Sequence, residues 1–314
     1  MKVKLSILFV IVIALIALFL LYQTGGHWDY VLPRRGKKIL AMVITGSAIA
    51  FSTVVFQTIT NNRILTPSIL GLDSLYMLFQ TFIIYAFGST TLTSSDRNIN
   101  FLISVALMVG FSGVFYKILF RKEGQSNIYF LLLIGMILGT FFGSISSFME
   151  VLIDPNEFLM LQDKMFASFN NVNTDLLIIS IIGILGVTLY FLKFIKYLDV
   201  ISLGRDQAVN LGVNYDYVVK RLLVVVAILM SIATALVGPI TFLGLLVVNV
   251  AHQFLKTYQH KYLIVGSILI SIIALIGGQF IVEKVFTFST TLSVIINFIG
   301  GAYFIYLLLK ENKS

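Results

Sequence analysis

Long hydrophobic runs alternate with short polar stretches along this chain. In a water-soluble amphipathic helix only one face is apolar; here whole windows are apolar on every face. Crossing a bilayer takes about 20 such residues at a rise of about 1.5 Å each. Ten runs meet or approach that length: 5–22, 39–60, 69–88, 99–120, 128–149, 174–196, 218–237, 240–256, 261–282 and 290–309. Two of them, 39–60 and 69–88, are richer in Ser, Thr and Gln, and 240–256 is short and carries Asn249 and His252. Continuous runs, rather than strict alternation, speak against β-barrel strands. The pattern predicts an all-α, polytopic membrane protein of about ten transmembrane helices, built as one transmembrane domain over residues 1–314.

The first run follows Lys2 and Lys4, as a secretion signal would. It is longer than the apolar part of such a signal, and no small-x-small cleavage site follows it, so it reads as a retained helix. Lys and Arg gather on the cytoplasmic side of membrane proteins. With the N-terminus inside, the outer face holds Arg34, Arg35, Lys37, Lys38, Arg97, Lys164 and Lys284, and the rest of the 22 basic residues fall inside. Both termini are therefore expected in the cytoplasm. The cluster at 34–38 is the exception to the bias. An outer loop is expected at about 150–173, where Glu150, Asp154, Glu157 and Asp163 make the chain acidic; Trp28 beside Tyr30 suits an interfacial anchor.

Composition sharpens this picture. Charged residues make up 11% of the 314, against about 25% in soluble domains, hydrophobic residues make up 58%, and the mean hydropathy is +0.98. That leaves too few polar side chains to surface a soluble globule. Cysteine is absent, which excludes disulfides, a thiolate zinc site, an iron–sulfur cluster and a thiol nucleophile. The net charge of +8 is accounted for by membrane lipid and the inside bias, with no nucleic-acid partner needed. The spans hold almost no ionisable residues; Asp73 and His252 are the nearest cases. That argues against an intramembrane enzyme and against a proton- or sodium-coupled pump. There is no phosphate-binding loop, so any ATP that drives this protein is hydrolysed on another chain. The histidines His27, His252 and His260 are scattered, and no metal site is expected.

The loop between the sixth and seventh runs carries the most information. From Leu203 it reads Gly204-Arg205-Asp206-Gln207-Ala208-Val209-Asn210-Leu211-Gly212-Val213. Two glycines bracket about two helical turns, with Ala208 and Leu211 on one face and Arg205, Asp206 and Asn210 towards water. Such a helix suits docking into a groove on a cytoplasmic partner, or lying on lipid headgroups.

Leu203-Gly204, Ala208 and Leu211-Gly212-Val213 resemble the coupling-helix segment of the iron-siderophore/cobalamin (FecCD-type) family of ABC importer permeases. Three more stretches resemble that family in the same order: Asn62 to Leu65-Thr66-Pro67 to Leu70-Gly71 and Ser74; Gly238-Pro239-Ile240-Thr241-Phe242 with Gly244 and Asn249; and Gly300-Gly301 with Phe304. Val248-Asn249, His252, Tyr76 and Ala302-Tyr303 depart from the family pattern, as a subgroup would, and a catecholate-siderophore subgroup is the expectation.

The resemblance implies a permease subunit that binds no cofactor itself. Its expected partners are a second permease chain, the same or similar, two cytoplasmic ATPases holding ATP and magnesium, and an extracytoplasmic binding protein. The cargo implied is a ferric siderophore; cobalamin or haem, and a secondary transporter, are the rivals. The coupling role falls on Leu203, Gly204, Arg205, Ala208, Leu211 and Gly212. Arg34 and Arg35, with Lys284 as helper, are expected to dock the binding protein, since guanidinium pairs acidic groups more specifically than ammonium. Gly135, Gly139 and Gly143 form a small-residue face that either packs within the subunit or lines the path or the permease interface. Ser52 and Gln57 are candidates for lining the path, and Asn62 and Asp73 for capping helices.

Overall fold

The computed structural model describes residues 1–23, 28–88, 97–119, 128–170, 172–286 and 290–311; His27, Arg121, Lys122 and Lys313 lie outside them. Among the described residues the chain is all-helical. In chain order the helices are α1 (Lys2–Leu21), α2 (Trp28–Thr60), α3 (Leu72–Phe87), α4 (Arg97–Leu119), α5 (Ile128–Leu152), α6 (Pro155–Met165), α7 (Thr174–Phe191), α8 (Ile195–Ile201), α9 (Arg205–Asn210), α10 (Tyr215–Val237), α11 (Leu243–Leu255), α12 (His260–Lys284) and α13 (Leu292–Glu311), with one 3₁₀ turn at Pro67–Leu70. Eight are long and apolar enough to cross a membrane, and α3 and α11 are shorter apolar helices. Together they account for the ten hydrophobic runs. Hydrocarbon offers the backbone no hydrogen-bonding partners, so each run satisfies its own amides as a helix.

Helices α2 and α10 form the centre. Their side chains are buried along most of their length, and they pack on each other and on α12 and α4. Around them α1, α5, α7 and α13 turn broad apolar faces outward, as lipid contact requires. Small residues set the close approaches. A Cβ on Gly46 of α2 would lie 2.8 Å from the Ser271 hydroxyl of α12, and one on Gly244 would collide with Thr53.

Two interruptions position the rest. After Thr60 the chain leaves the helix at Asn61 (φ +49), passes through the 3₁₀ turn and enters α3 at Gly71 (φ +78). Gly71 sits against Gly135 and Gly139, near the middle of α5. From there α3 runs beside the far half of α5, where the Thr81 and Ser146 hydroxyls meet at 2.8 Å. Likewise α10 stops at Gly238 (φ +99) and Pro239, and α11 begins with Phe242 packed on Gly300, near the middle of α13. Both α3 and α11 are thus part-length helices starting at mid-depth, not the full spans that 69–88 and 240–256 suggest. Irregular backbone survives at such depth only when protein covers it. Here the Arg63 carbonyl of the first interruption accepts from the Gln57 amide (2.7 Å) and from the Asn249 amide (3.0 Å).

The expected outer segment holds α6. Asp154 caps it by accepting from the Asn156 amide at 2.9 Å, with Pro155 at the first helical position. The run at 174–196 divides into α7 and the separate short helix α8, and α2 starts well before residue 39, so the basic cluster at 34–38 lies inside a helix.

Candidate functional site

The two ends of the bundle differ chemically. At one end lie the start of α1, the ends of α2 and α11, the starts of α10 and α12, and the pair α8–α9. Lys4 donates to the Phe254 carbonyl at 2.6 Å there, and Lys193, Lys196, Arg221, Lys256 and Lys261 are exposed. The opposite end holds the start of α2, the end of α12 and α6.

Helix α9 is short but well delimited. Gly204 precedes it at φ +95, a conformation that favours glycine. At its other end Gly212 is left-handed (φ +82); its amide donates to the Val209 carbonyl (2.9 Å) and the Val213 amide to the Ala208 carbonyl (3.0 Å). This paired closure satisfies carbonyls that a helix end otherwise strands. Ala208 is fully buried and points into the chain, whereas Leu211 is 63% exposed and Leu203 55%. The expected shared face of Ala208 and Leu211 is therefore split: Ala208 anchors α9, and Leu203, Val209 and Leu211 present apolar surface outward. Arg205 reaches Asp216 of α10 at 3.4 Å, a second tether.

Beside α9, α8 carries Asp199. Its Oδ1 accepts from the backbone amide of His260 (3.0 Å) and meets the ring Nδ1 of His260 at 2.6 Å. The other ring nitrogen, Nε2, lies 2.8 Å from the Thr58 hydroxyl of α2. Burial raises the Asp199 carboxyl, but the hydrogen bonds from His260, together with the charges of His260 and Lys261, outweigh it and hold it below the usual value of 3.8. Sequence reasoning missed this group, since the residues lie on three elements far apart in the chain.

At the opposite end the basic cluster divides, half of it turned inward. Arg35 Nη1 donates to the carbonyls of Phe19 (3.0 Å), Leu20 (3.0 Å) and Tyr22 (2.7 Å), closing the C-terminus of α1. Lys38 is buried in an ion pair with Glu283 at 2.8 Å. Lys284 donates to Gln23 (3.1 Å) and lies over the Tyr22 ring. Arg34 and Lys37 are exposed. Of the three residues expected to dock a binding protein, then, Arg35 and Lys284 are occupied with α1, and Arg34 faces out, bonded to the Tyr30 hydroxyl at 3.3 Å.

The expected lining residues also sort by geometry. Ser52 and Gln57 are buried inside this chain, and Gln57 holds the Arg63 turn. A Cβ on Gly135 would lie 3.0 Å from the Ile69 carbonyl oxygen and the Leu70 Cα, and one on Gly139 3.2 Å from the Gly71 Cα. These two glycines thus admit the chain's own turn rather than a second subunit. Gly143, with nothing within 4 Å, opens onto the surface. Asn62 and Asp73 do not cap helices by side chain: Asn62 accepts from the Ile64 amide (2.8 Å) and Asp73 from the Thr234 hydroxyl (3.1 Å).

Comparison with known proteins gives this arrangement its context. Residues 3–310 match the model of the FecCD transport family. The chain is 67% identical to the petrobactin import system permease protein YclO of Bacillus subtilis, over 100% of this chain and 99% of that one. It is 38% identical to the petrobactin import system permease protein FatC of Bacillus anthracis, over 90% of this chain and 79% of that one. Its fold matches a solved metal-chelate type ABC transporter in an inward-facing conformation, with a TM-score of 0.84 at 20% identity, covering 98% and 99% of the two chains.

Proposed function

The chain belongs to the FecCD transport family, and from that premise we propose that it is a multi-pass permease subunit of an ATP-driven importer that passes a ferric siderophore, of the petrobactin class, across the bacterial cytoplasmic membrane. The single observation that carries the cargo is the 67% identity to a petrobactin permease along the whole chain. The rest of the reading follows from the residues. The end bearing α9 and the exposed lysines is cytoplasmic, by the charge bias. There the apolar side chains of Leu203, Val209 and Leu211 enter a cleft on an ATPase subunit, which supplies the nucleotide chemistry this chain lacks. Ala208 and the glycine-closed ends of α9 make it stiff enough to transmit displacement. A second permease, the same or similar, completes the path, with Gly143 on the face available to it. On the outer side Arg34 meets an acidic group of the binding protein.

Uptake of radiolabelled ferric petrobactin into proteoliposomes tests this. Transport is expected only when the ATPase and binding-protein components are present with ATP. Uptake without the ATPase would reject the reading in favour of a secondary transporter. Equal uptake of cobalamin or haem would move the cargo assignment. Arg34→Glu should weaken binding-protein docking, most at low salt; Arg35→Glu should instead loosen α1.

A further inference from the structure

Helix α8 leads into α9 through residues 202–204, so displacement of α9 reaches Asp199 through α8, beside the direct Arg205–Asp216 tether to α10. Most of the hold on α8 is apolar: Leu198 and Ile201 are buried beneath it. Such packing is non-directional and lets helices slide. Asp199 adds a directional connection. Its Oδ1 takes the backbone amide of His260, the first residue of α12, whose own N-cap Gln259 makes no side-chain cap. A carboxylate at that position also meets the positive end of the helix dipole.

Capping would be complete without the imidazole, yet the ring is committed at both nitrogens. The Thr58 hydroxyl lies 2.8 Å from both the Val54 carbonyl and the Nε2 atom of His260, so it joins the ring to its own helix. Nδ1 donates to the Asp199 carboxylate at 2.6 Å, and Nε2 shares a hydrogen bond with the Thr58 hydroxyl. With the His260 side chain 7% exposed, water competes little for its bond to Thr58, while the Asp199 side chain, 54% exposed, meets the ring from the solvent side. Three elements meet on one ring: α8 before the short helix, the start of α12, and the last turn of the central helix α2.

We propose that Asp199, His260 and Thr58 form a polar clasp that carries displacement of the α8–α9 segment to α2, with His260 as the positioning residue. This rests on the importer reading above. A mere structural cap would lower uptake and ATP hydrolysis together when lost; a clasp separates them.

The test uses the complete complex in proteoliposomes, with ferric petrobactin uptake and ATP hydrolysis read in the same vesicles. In His260→Ala and Thr58→Val, ATP hydrolysis should stay within about twofold while uptake per ATP falls about fivefold, the scale of one lost buried hydrogen bond. Thr58→Ser keeps the hydroxyl and should restore the ratio. An unchanged ratio in Thr58→Val, or uptake and hydrolysis falling in parallel with Thr58→Ser no better than Thr58→Val, overturns the clasp. If His260→Ala fails to assemble, the Thr58 pair alone decides. Absence of ATP-driven uptake in the wild-type complex would instead sink the importer reading, and the clasp with it.

Discussion

The Asn249 amide of α11 donates to the Arg63 carbonyl at 3.0 Å, so one interruption in the bundle is tied to the helix that follows the other. Gln57 donates to the same oxygen at 2.7 Å. Asn249→Leu keeps the shape and removes one donor; it should lower stability by about 1–2 kcal/mol. Adding Gln57→Leu leaves the part-buried carbonyl without a side-chain donor and should cost more than the two single changes together, as thermal unfolding of the solubilised protein would record.

The three glycines of α5 should behave differently from one another. Gly135→Ala and Gly139→Ala press on the turn at 69–71, where the near atoms are backbone and cannot swing away. Each should destabilise the isolated subunit by about 1–3 kcal/mol. Gly143→Ala meets nothing in this chain and should leave its melting unchanged. A transport defect in Gly143→Leu without a stability defect would mark the face against a second subunit.

Lys38 and Glu283 join α2 to α12 with side chains about one-tenth exposed. Removing either partner alone, by Lys38→Met or Glu283→Leu, leaves a buried charge and should destabilise by about 3–5 kcal/mol. The double replacement Lys38→Met with Glu283→Leu should recover most of that loss. Melting of the four proteins gives the coupling directly, and additive losses would show that the pair does not interact.

Lys164 gives a pH signature. It projects from α6 onto Gln80 of α3, donating to its side-chain oxygen at 2.8 Å. Burial lowers its ammonium from 10.5 to about 8. Between those two values the unfolded chain holds the proton and the folded chain does not, so this group favours folding increasingly as pH climbs through that window. At neutral pH both states are charged and its burial is a cost. The wild type should therefore gain stability relative to Lys164→Gln between pH 8 and pH 10; parallel melting curves across the range would exclude the effect.

Much of this architecture is readable from the residues because each crossing depends on local hydrophobicity alone. The bounds of α9 are equally local, since Gly204 and Gly212 take conformations that suit glycine. What is not readable is tertiary. Hydropathy cannot tell a full crossing from the part-length α3 and α11, because the mid-depth breaks near Pro67 and Gly238 are held by side chains from other helices. Nor can it tell a basic residue facing a partner from one facing its own backbone. Arg34 and Arg35 are neighbours, yet one is exposed and the other turned onto α1, by helical direction and the position of the α1 terminus. Asp199 and His260 are joined only when α8 and α12 meet.

The Arg35 contacts also bear on how the protein is made. Every atom of that latch lies within residues 19–35, far ahead of α12 in chain order. The α1–α2 hairpin can thus close before α12, against which both its helices finally rest, has been synthesised. Part of the basic cluster is thus spent on backbone oxygens within the hairpin itself, so closing it does not wait for the remaining helices.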